Sequence, residues 1–312
     1  MKIAIVGAGA LGSVIGSLLW EAGLDPVLIE RNPEEVEHAR TNGVFIEGVS
    51  GDRNVRPRIY NEDAGIGGID LVIVLVKSYD TKGACSTIQK ILSEDGSILT
   101  IQNGVGNFEI LNEEFPGRVL AGVTTMGAMT IARGRVRHTG FGPTHLGEAN
   151  GEISERVIAI RDALRLMNGG PVHESDNPFG LVWSKLIINA SINAPATLLR
   201  LRNGDLPATE SGRQLITKIV HESVDLVEAK GIKLIFQDPE SEVLKVCKGT
   251  SGNLNSMLQD ILAGRRTEID FINGAIAVHA RSLGLEAPVN ETLTMLIRSL
   301  EATGDVRLSS EL

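Results

Sequence analysis

The hydrophobic pattern changes period abruptly near the start of the chain. Lys2 to Val6 form an Ile- and Val-rich run typical of a buried strand. Leu11, Val14, Ile15, Leu18 and Leu19 then recur at helical spacing until Ala22 and Gly23 end the run. Pro26 to Glu30 predicts a second strand. Pro33 to Arg40 reads as a short charged helix, and Val44 to Ile59 as irregular or short-strand structure. Asp70 to Val76 (DLVIVLV) is a continuous apolar run, the signature of a strand buried on both faces of a parallel sheet. Thr81 to Leu92 predicts a crossover helix, and Ser97 to Gln102 and Arg118 to Val123 predict further strands. Between Thr124 and Gly147 the texture turns to Gly, Thr and short alternations at Arg135 to His138 and Thr144 to Gly147, which predicts antiparallel strands extending the same sheet. A helix over Ile153 to Met167 and a short strand at Pro171 to His173 close this half. After Asn177 every segment is helical in pattern: Phe179 to Leu199, Ser211 to Lys230, Asp238 to Lys248, Leu254 to Ala263, Thr267 to Leu283 and Asn290 to Ala302.

The junction of the first strand and helix carries Gly7, Gly9 and Gly12 at the GxGxxG spacing, within the run Gly7, Ala8, Gly9, Ala10, Leu11, Gly12. Gly7 permits the tight turn, Gly9 lets the backbone approach a pyrophosphate, and Gly12 allows close helix–strand packing. The free N–H groups at the helix start face the phosphates. Glu30, at the end of the second strand, stands where an acidic side chain binds the ribose of a dinucleotide. The fold class is therefore α/β: an N-terminal Rossmann-type dinucleotide-binding domain over 1–176, followed by an all-α domain over 177–312. Ligands of such sheets lie off the carboxyl ends of the strands, which places Lys77 and Asn103 at the ligand edge, although polar residues also occupy such loops for solvation alone.

Composition narrows the function. The 312 residues are 42% hydrophobic and 22% charged, ordinary for a globular protein, and the net charge of -9 argues against nucleic-acid binding. An anionic ligand must then find local cations. Two cysteines without CxxC spacing and six histidines without paired ligand spacing indicate neither a disulfide framework nor a metal site. No apolar run approaches the roughly 20 residues needed to span a bilayer, and the first strand leaves no room for a leader, so a cytoplasmic protein without membrane partners is expected.

Lys185, Asn189 and Asn193 supply the missing cation. They follow each other at four-residue intervals and rise along one helix face, each about 40° from the last. Leu186, Ile187, Ile188, Ala190 and Ile192 make the rest of that helix apolar and hence buried. A buried ammonium and two amides require partners, either in a structural polar network or in a small polar anion. Further on, Thr267 is a good N-cap with Asp270 three residues later, which places Glu268 in a first helical turn, where acids are favoured by the helix dipole alone.

These motifs occur together in one known family. GAGALG, Lys77, the Gln102-Asn103-Gly104 turn, Lys185-Asn189-Asn193, Asn203-Gly204 and SMLQDILAGRRTEIDFINGAI (Ser256 to Ile276) resemble ketopantoate reductase (2-dehydropantoate 2-reductase), in order and over almost the whole chain. The resemblance implies reduction of 2-dehydropantoate to pantoate with NADPH, on the route to pantothenate and coenzyme A. It makes Lys185 the general acid and Glu268 the residue that binds substrate and orients the lysine. Asn103, Asn189, Asn193, Asn203 and Ser256 would hold the substrate. The glycine loop, Arg31, Lys77, Asn103 and Glu268 would line the cofactor side. Chemistry agrees: hydride arriving at C2 of a 2-oxo acid leaves negative charge on the carbonyl oxygen, and a protonated lysine can meet it.

Glu30 departs from the small or apolar residue of the family and leaves NAD(H) open beside NADP(H), while Arg31 stands where the family grips the 2′-phosphate. Two other functions fit the residues: a related reductase of another 2-oxo acid, and a protein that senses NAD(P) without turnover. A homodimer through the helical region is also expected.

Overall fold

The computed structural model describes residues 1–61 and 65–304. Two compact units divide the chain: Met1–Gln102 with Asn107–Phe179, and Asn103–Gly106 with the chain from Gly180 onward. The second unit thus takes four residues from the loop after a strand of the first.

In the first unit the elements run β1 (Ile3–Val6), α1 (Ala10–Glu21), β2 (Val27–Ile29), α2 (Pro33–Asn42), β3 (Val44–Gly48), β4 (Arg53–Val55), β5 (Arg58–Tyr60), β6 (Ile69–Val74), α3 (Thr81–Ile91), β7 (Leu92–Thr100), α4 (Asn107–Glu114), β8 (Val119–Thr124), β9 (Gly127–Ala132), β10 (Arg135–Gly140), β11 (Thr144–Glu148), α5 (Glu155–Arg165) and β12 (Val172–Glu174). The main sheet has the order β12-β11-β8-β7-β6-β1-β2-β5. Its strands from β5 to β8 are parallel, β11 runs antiparallel to β8, and β12 runs parallel to β11. From β1 the chain builds outward first through β2 and β5, then through β6, β7 and β8. The topological switch therefore lies between β1 and β6, where such sheets bind ligands.

Alternation along the central strands feeds two cores. Ile3, Ile5, Leu71 and Ile73 enter one apolar cluster with Val14, Ile15 and Leu18 of α1, and Ala4, Val6, Val72 and Val74 enter the other with Ala84 and Ile88 of α3. Strands apolar at every position are what a sheet covered on both faces requires.

The expected extension of the main sheet holds for β11 but not for Arg135 to His138. That segment is β10 of a separate four-stranded sheet, β4-β3-β10-β9, in which Val136 lies opposite Ile46 in parallel register. A strand carrying Arg135 and Arg137 cannot be buried on both faces. Instead both guanidinium groups donate to the Glu47 carboxylate, at 2.6 Å each, and hold it below the usual carboxylate range. Helix α4 has no counterpart in the hydrophobic pattern, because among its residues only Asn107 and Leu111 are buried.

The second unit contains α6 (Pro178–Leu198), α7 (Glu210–Ala229), α8 (Pro239–Gly249), α9 (Ser256–Leu262), α10 (Asn273–Ser282) and α11 (Pro288–Ala302). Helix α6 is its centre, with Leu186, Ile187, Ala190, Ile192, Ala194 and Ala196 all buried. Asn273 at the start of α10 donates to the Ala190 carbonyl at 3.1 Å and to Asn290 Oδ1 at 2.9 Å, tying α6, α10 and α11 together. Glu222 of α7 accepts from the Val289 and Asn290 N–H groups at 2.8 and 3.0 Å, an anion placed on the open N-terminus of α11. Cys85 in the first unit and Cys247 in the second are both buried. No helix among the described residues is long and apolar enough to cross a membrane.

Candidate active site

The glycine loop of the first unit separates into packing and ligand roles. Gly7 has φ +106°, and a Cβ there would stand 2.4 Å from the Val76 nitrogen; a Cβ on Gly12 would stand 2.0 Å from the Gly7 carbonyl oxygen. Both positions admit nothing larger than glycine. At Gly9, the N-cap of α1, a Cβ would meet no atom of the described residues within 4 Å. No packing contact among the described residues accounts for Gly9, so its missing side chain leaves open space on the outer face of the turn beside the first N–H groups of α1, the kind of position that suits an anion. The first turn of α1 carries no acidic residue to oppose it. Ala8, Ala10 and Leu11 complete the turn and are partly buried.

At the end of β2, Glu30 is held in place. Its N–H donates to the Tyr60 carbonyl at 3.0 Å, and its Oε1 accepts from the Asn32 N–H at 3.0 Å. Arg31 is exposed and its guanidinium is paired with Asp80 at 2.8 Å.

Lys77 follows β6 and is half-buried. Its stretch of chain rests on a buried polar network that the residue pattern did not reveal. Gln102 Nε2 donates to the Val76 carbonyl and to Thr81 Oγ1, both at 2.8 Å; Thr81 in turn donates to Asn107 Oδ1 at 2.8 Å, and Asn107 Nδ2 donates to Ser78 Oγ at 3.1 Å. Each of these polar groups is removed from water and satisfied by another, which fixes the loops after β6 and β7 against each other.

The second unit collects the remaining candidates. Lys185, Asn189 and Asn193 lie on α6 as their spacing predicts, and Asn193 is 6% exposed with no side-chain partner among the described residues. Burial lowers the Lys185 ammonium from its usual 10.5 to about 8, and the Glu268 carboxylate acts in the opposite direction. Lysine and carboxylate therefore share one environment.

Glu268 is not in the first turn of an α-helix, contrary to the expected helix from Thr267 to Leu283. The α-helix begins only at Asn273, and Glu268 precedes a single 3₁₀ turn, Ile269–Phe271. Thr267 does cap, but locally, accepting from the Ile269 N–H at 3.2 Å, while Asp270 is drawn outward to Arg266 and Arg298. The helix-dipole explanation for an acid at this position falls away. Glu268 is nevertheless 6% exposed.

Asn103 belongs to this unit with Gly104. Val105 N–H donates to the Phe271 carbonyl at 3.0 Å, so the 103–106 segment is fastened to the turn that Glu268 opens. Asn203 is pinned by its N–H to the Asn253 carbonyl at 3.1 Å and by Nδ2 to Thr250 Oγ1 at 3.0 Å, leaving its buried Oδ1 without a partner among the described residues. Ser256, exposed at the start of α9, is placed by Asn255, whose Oδ1 accepts from the Leu258 N–H at 2.9 Å and from Thr197 at the end of α6 at 3.2 Å. Asn255, Thr197 and Thr250 position the candidates without being candidates themselves. Only Asn255, as an N-cap type before an apolar run, had a local signal.

The sequence profile described as "Ketopantoate reductase PanE/ApbA" matches residues 3–151, and that described as "Ketopantoate reductase PanE/ApbA C terminal" matches 179–301. The chain belongs to the ketopantoate reductase family. Among its relatives, the 2-dehydropantoate 2-reductases of Archaeoglobus fulgidus and Pyrococcus abyssi are each 36% identical, covering 96% and 97% of this chain and 98% of their own. A PanE/ApbA family ketopantoate reductase from Ralstonia eutropha superposes with a TM-score of 0.90 at 30% identity, over 97% of this chain and 99% of that one. A D-mandelate dehydrogenase, solved with NADH and anilino(oxo)acetate, superposes with a TM-score of 0.91 at 27% identity, over 98% of this chain and 100% of that one.

Proposed function

We propose that this ketopantoate reductase family member reduces 2-dehydropantoate to pantoate, with Lys185 as proton donor. The observation that carries the reading is the Lys185–Glu268 couple in the second unit, accompanied by two buried amides, Asn193 and Asn203, that retain unused hydrogen-bonding capacity. A reduced dinucleotide held at its pyrophosphate by the glycine loop would supply the hydride to C2 of the substrate. Lys185 Nζ donates its proton to the carbonyl oxygen as charge develops there, and Glu268 keeps the ammonium charged despite its burial. The Asn193 amide donates to the substrate carboxylate, together with Asn189 and Ser256. Asn203 presents an acceptor, Oδ1, which suits the substrate's hydroxyl group, and a buried acceptor left unmatched penalises an acid lacking that hydroxyl. In this reading Asn103, on the segment fastened to the Phe271 turn, contacts substrate and cofactor, and Lys77 and Arg31 serve the cofactor.

A second reading has support from the D-mandelate dehydrogenase neighbour: reduction of a 2-oxo acid with an aromatic substituent. Dinucleotide oxidation followed by absorbance with 2-dehydropantoate, its analogue lacking the hydroxyl, and a 2-oxo-2-aryl acid separates the two. The first reading expects a kcat/KM for 2-dehydropantoate well above both others; a preference for the aryl acid replaces it, and tight dinucleotide binding with no oxidation by any of them leaves a sensor.

The pH dependence follows from the lysine. Reduction requires the charged ammonium, so kcat/KM is expected to be level at acid pH and to fall as pH rises through a midpoint near Lys185's value of about 8. Glu268 raises that value, so Glu268→Gln is expected to move the falling limb to lower pH. A limb that stays in place in this variant separates the carboxylate from the lysine.

A further inference from the structure

We propose that Asp80 is a specificity-determining residue that turns the ribose end of the dinucleotide site towards NADH and away from NADPH. The inference rests on the reductase reading above and goes beyond it in naming the residue that chooses the cofactor.

Three charges meet where the loops after β2 and β6 leave the sheet. Glu30 cannot swing away freely, because its backbone is paired to Tyr60 and its carboxylate accepts from the Asn32 N–H. One carboxylate oxygen remains to accept from a ribose hydroxyl, the contact an acid makes at the end of this strand. Arg31 would be the counterweight that accepts a 2′-phosphate, yet its guanidinium is already bound to Asp80 Oδ1 at 2.8 Å. The sum over the three groups is one net negative charge. A 2′-phosphate would add a further charge of roughly -1.5 to -2 to this neighbourhood, whereas a 2′-hydroxyl adds none.

Asp80 is also fixed more firmly than an ordinary surface partner. Its side chain is 26% exposed against 64% for that of Arg31. Its backbone closes the 3₁₀ turn Ser78–Asp80 by donating to the Lys77 carbonyl at 2.8 Å, and the next residue, Thr81, is fully buried and bound to Gln102 and Asn107. Arg31 is thus the mobile member of the pair and Asp80 the built one. To hold a 2′-phosphate, Arg31 must leave Asp80, and the abandoned carboxylate then faces the incoming anion. In this arrangement an arginine in the right place for NADPH does not confer a preference for it.

The test is equilibrium titration of the full chain with NADH and with NADPH, read by nicotinamide fluorescence, for the wild type and for Asp80→Asn and Asp80→Ala. The wild type is expected to bind NADH the more tightly. Both substitutions are expected to tighten NADPH by roughly fivefold, the upper range for an exposed charge contact, and to leave NADH within about twofold. A Kd ratio unmoved in both variants, or NADPH binding that weakens because Asp80 had been holding Arg31 ready for the phosphate, overturns the proposal while the reductase reading stands. A wild-type protein that binds neither dinucleotide overturns the reductase reading and this proposal with it.

Discussion

Replacing Lys185 with alanine is expected to lower kcat for 2-oxo-acid reduction by roughly 10²- to 10⁴-fold, the usual worth of a positioned proton donor. The physical argument begins with cost. An ammonium whose burial brings it from 10.5 to about 8 is held in a place that disfavours its charge, with Glu268 as the compensating group. A lysine in that condition is a stronger acid than an ordinary ammonium and gives its proton more readily to the developing alkoxide, yet it remains largely protonated at neutral pH. The glycine loop, Glu30 and Arg31 belong to the other unit, so Kd for the dinucleotide is expected to be unchanged. Lys185→Met separates chemistry from packing, because it retains the stem without the charge and should lose as much activity as alanine. Stopped-flow measurement of the hydride step in both variants decides the matter: near-normal rates would remove Lys185 from the reaction.

The second large effect is expected at a residue that contacts no substrate. Gly104→Ala should reduce kcat/KM by roughly 10²-fold, the consequence of displacing catalytic groups by about an ångström. Gly104 has φ +82°, a left-handed conformation that costs an alanine about 1 kcal/mol or more, and the added Cβ would stand 2.5 Å from the Phe271 carbonyl oxygen. That oxygen is also the acceptor for the Val105 N–H. The new methyl group cannot be accommodated by a rotamer change, since its neighbour is backbone, so the 103–106 segment and the Glu268–Phe271 turn must separate. Asn103 and Glu268 would be displaced together. A thermal melt showing the fold retained, with steady-state kinetics unchanged from wild type, would show that this fastening does not position the reacting groups.

Several parts of this molecule were legible in the residues because the physics that makes them is local. A β1–α1 junction with glycines at fixed intervals has one economical conformation, and Gly7 and Gly12 occupy the positions that packing demands. Continuous apolar runs at Ile3–Val6 and Leu71–Val74 announce strands covered on both faces, as the two cores on either side of them show. Lys185, Asn189 and Asn193 could be placed on one face because a helix of this length leaves no other arrangement for residues four apart.

What tertiary structure decided depends on partners far away in sequence. Arg135 and Arg137 belong to a second sheet because Glu47, about 90 positions earlier, takes both of their charges. Glu268 lies outside an α-helix because the chain turns through Ile269–Phe271 to receive the Asn103–Gly106 segment, and no local preference of Thr267 or Asp270 anticipates that. Arg31 is named by its place after β2, but its charge is governed by Asp80 after β6. The sequence by itself determined the dinucleotide-binding fold, the family and the helix that carries the lysine, since each depends on spacing within a short stretch. The tertiary structure alone decided which charges are neutralised, which amides keep a free hydrogen bond and how the Glu268 turn is anchored, since each depends on a group brought in by the fold.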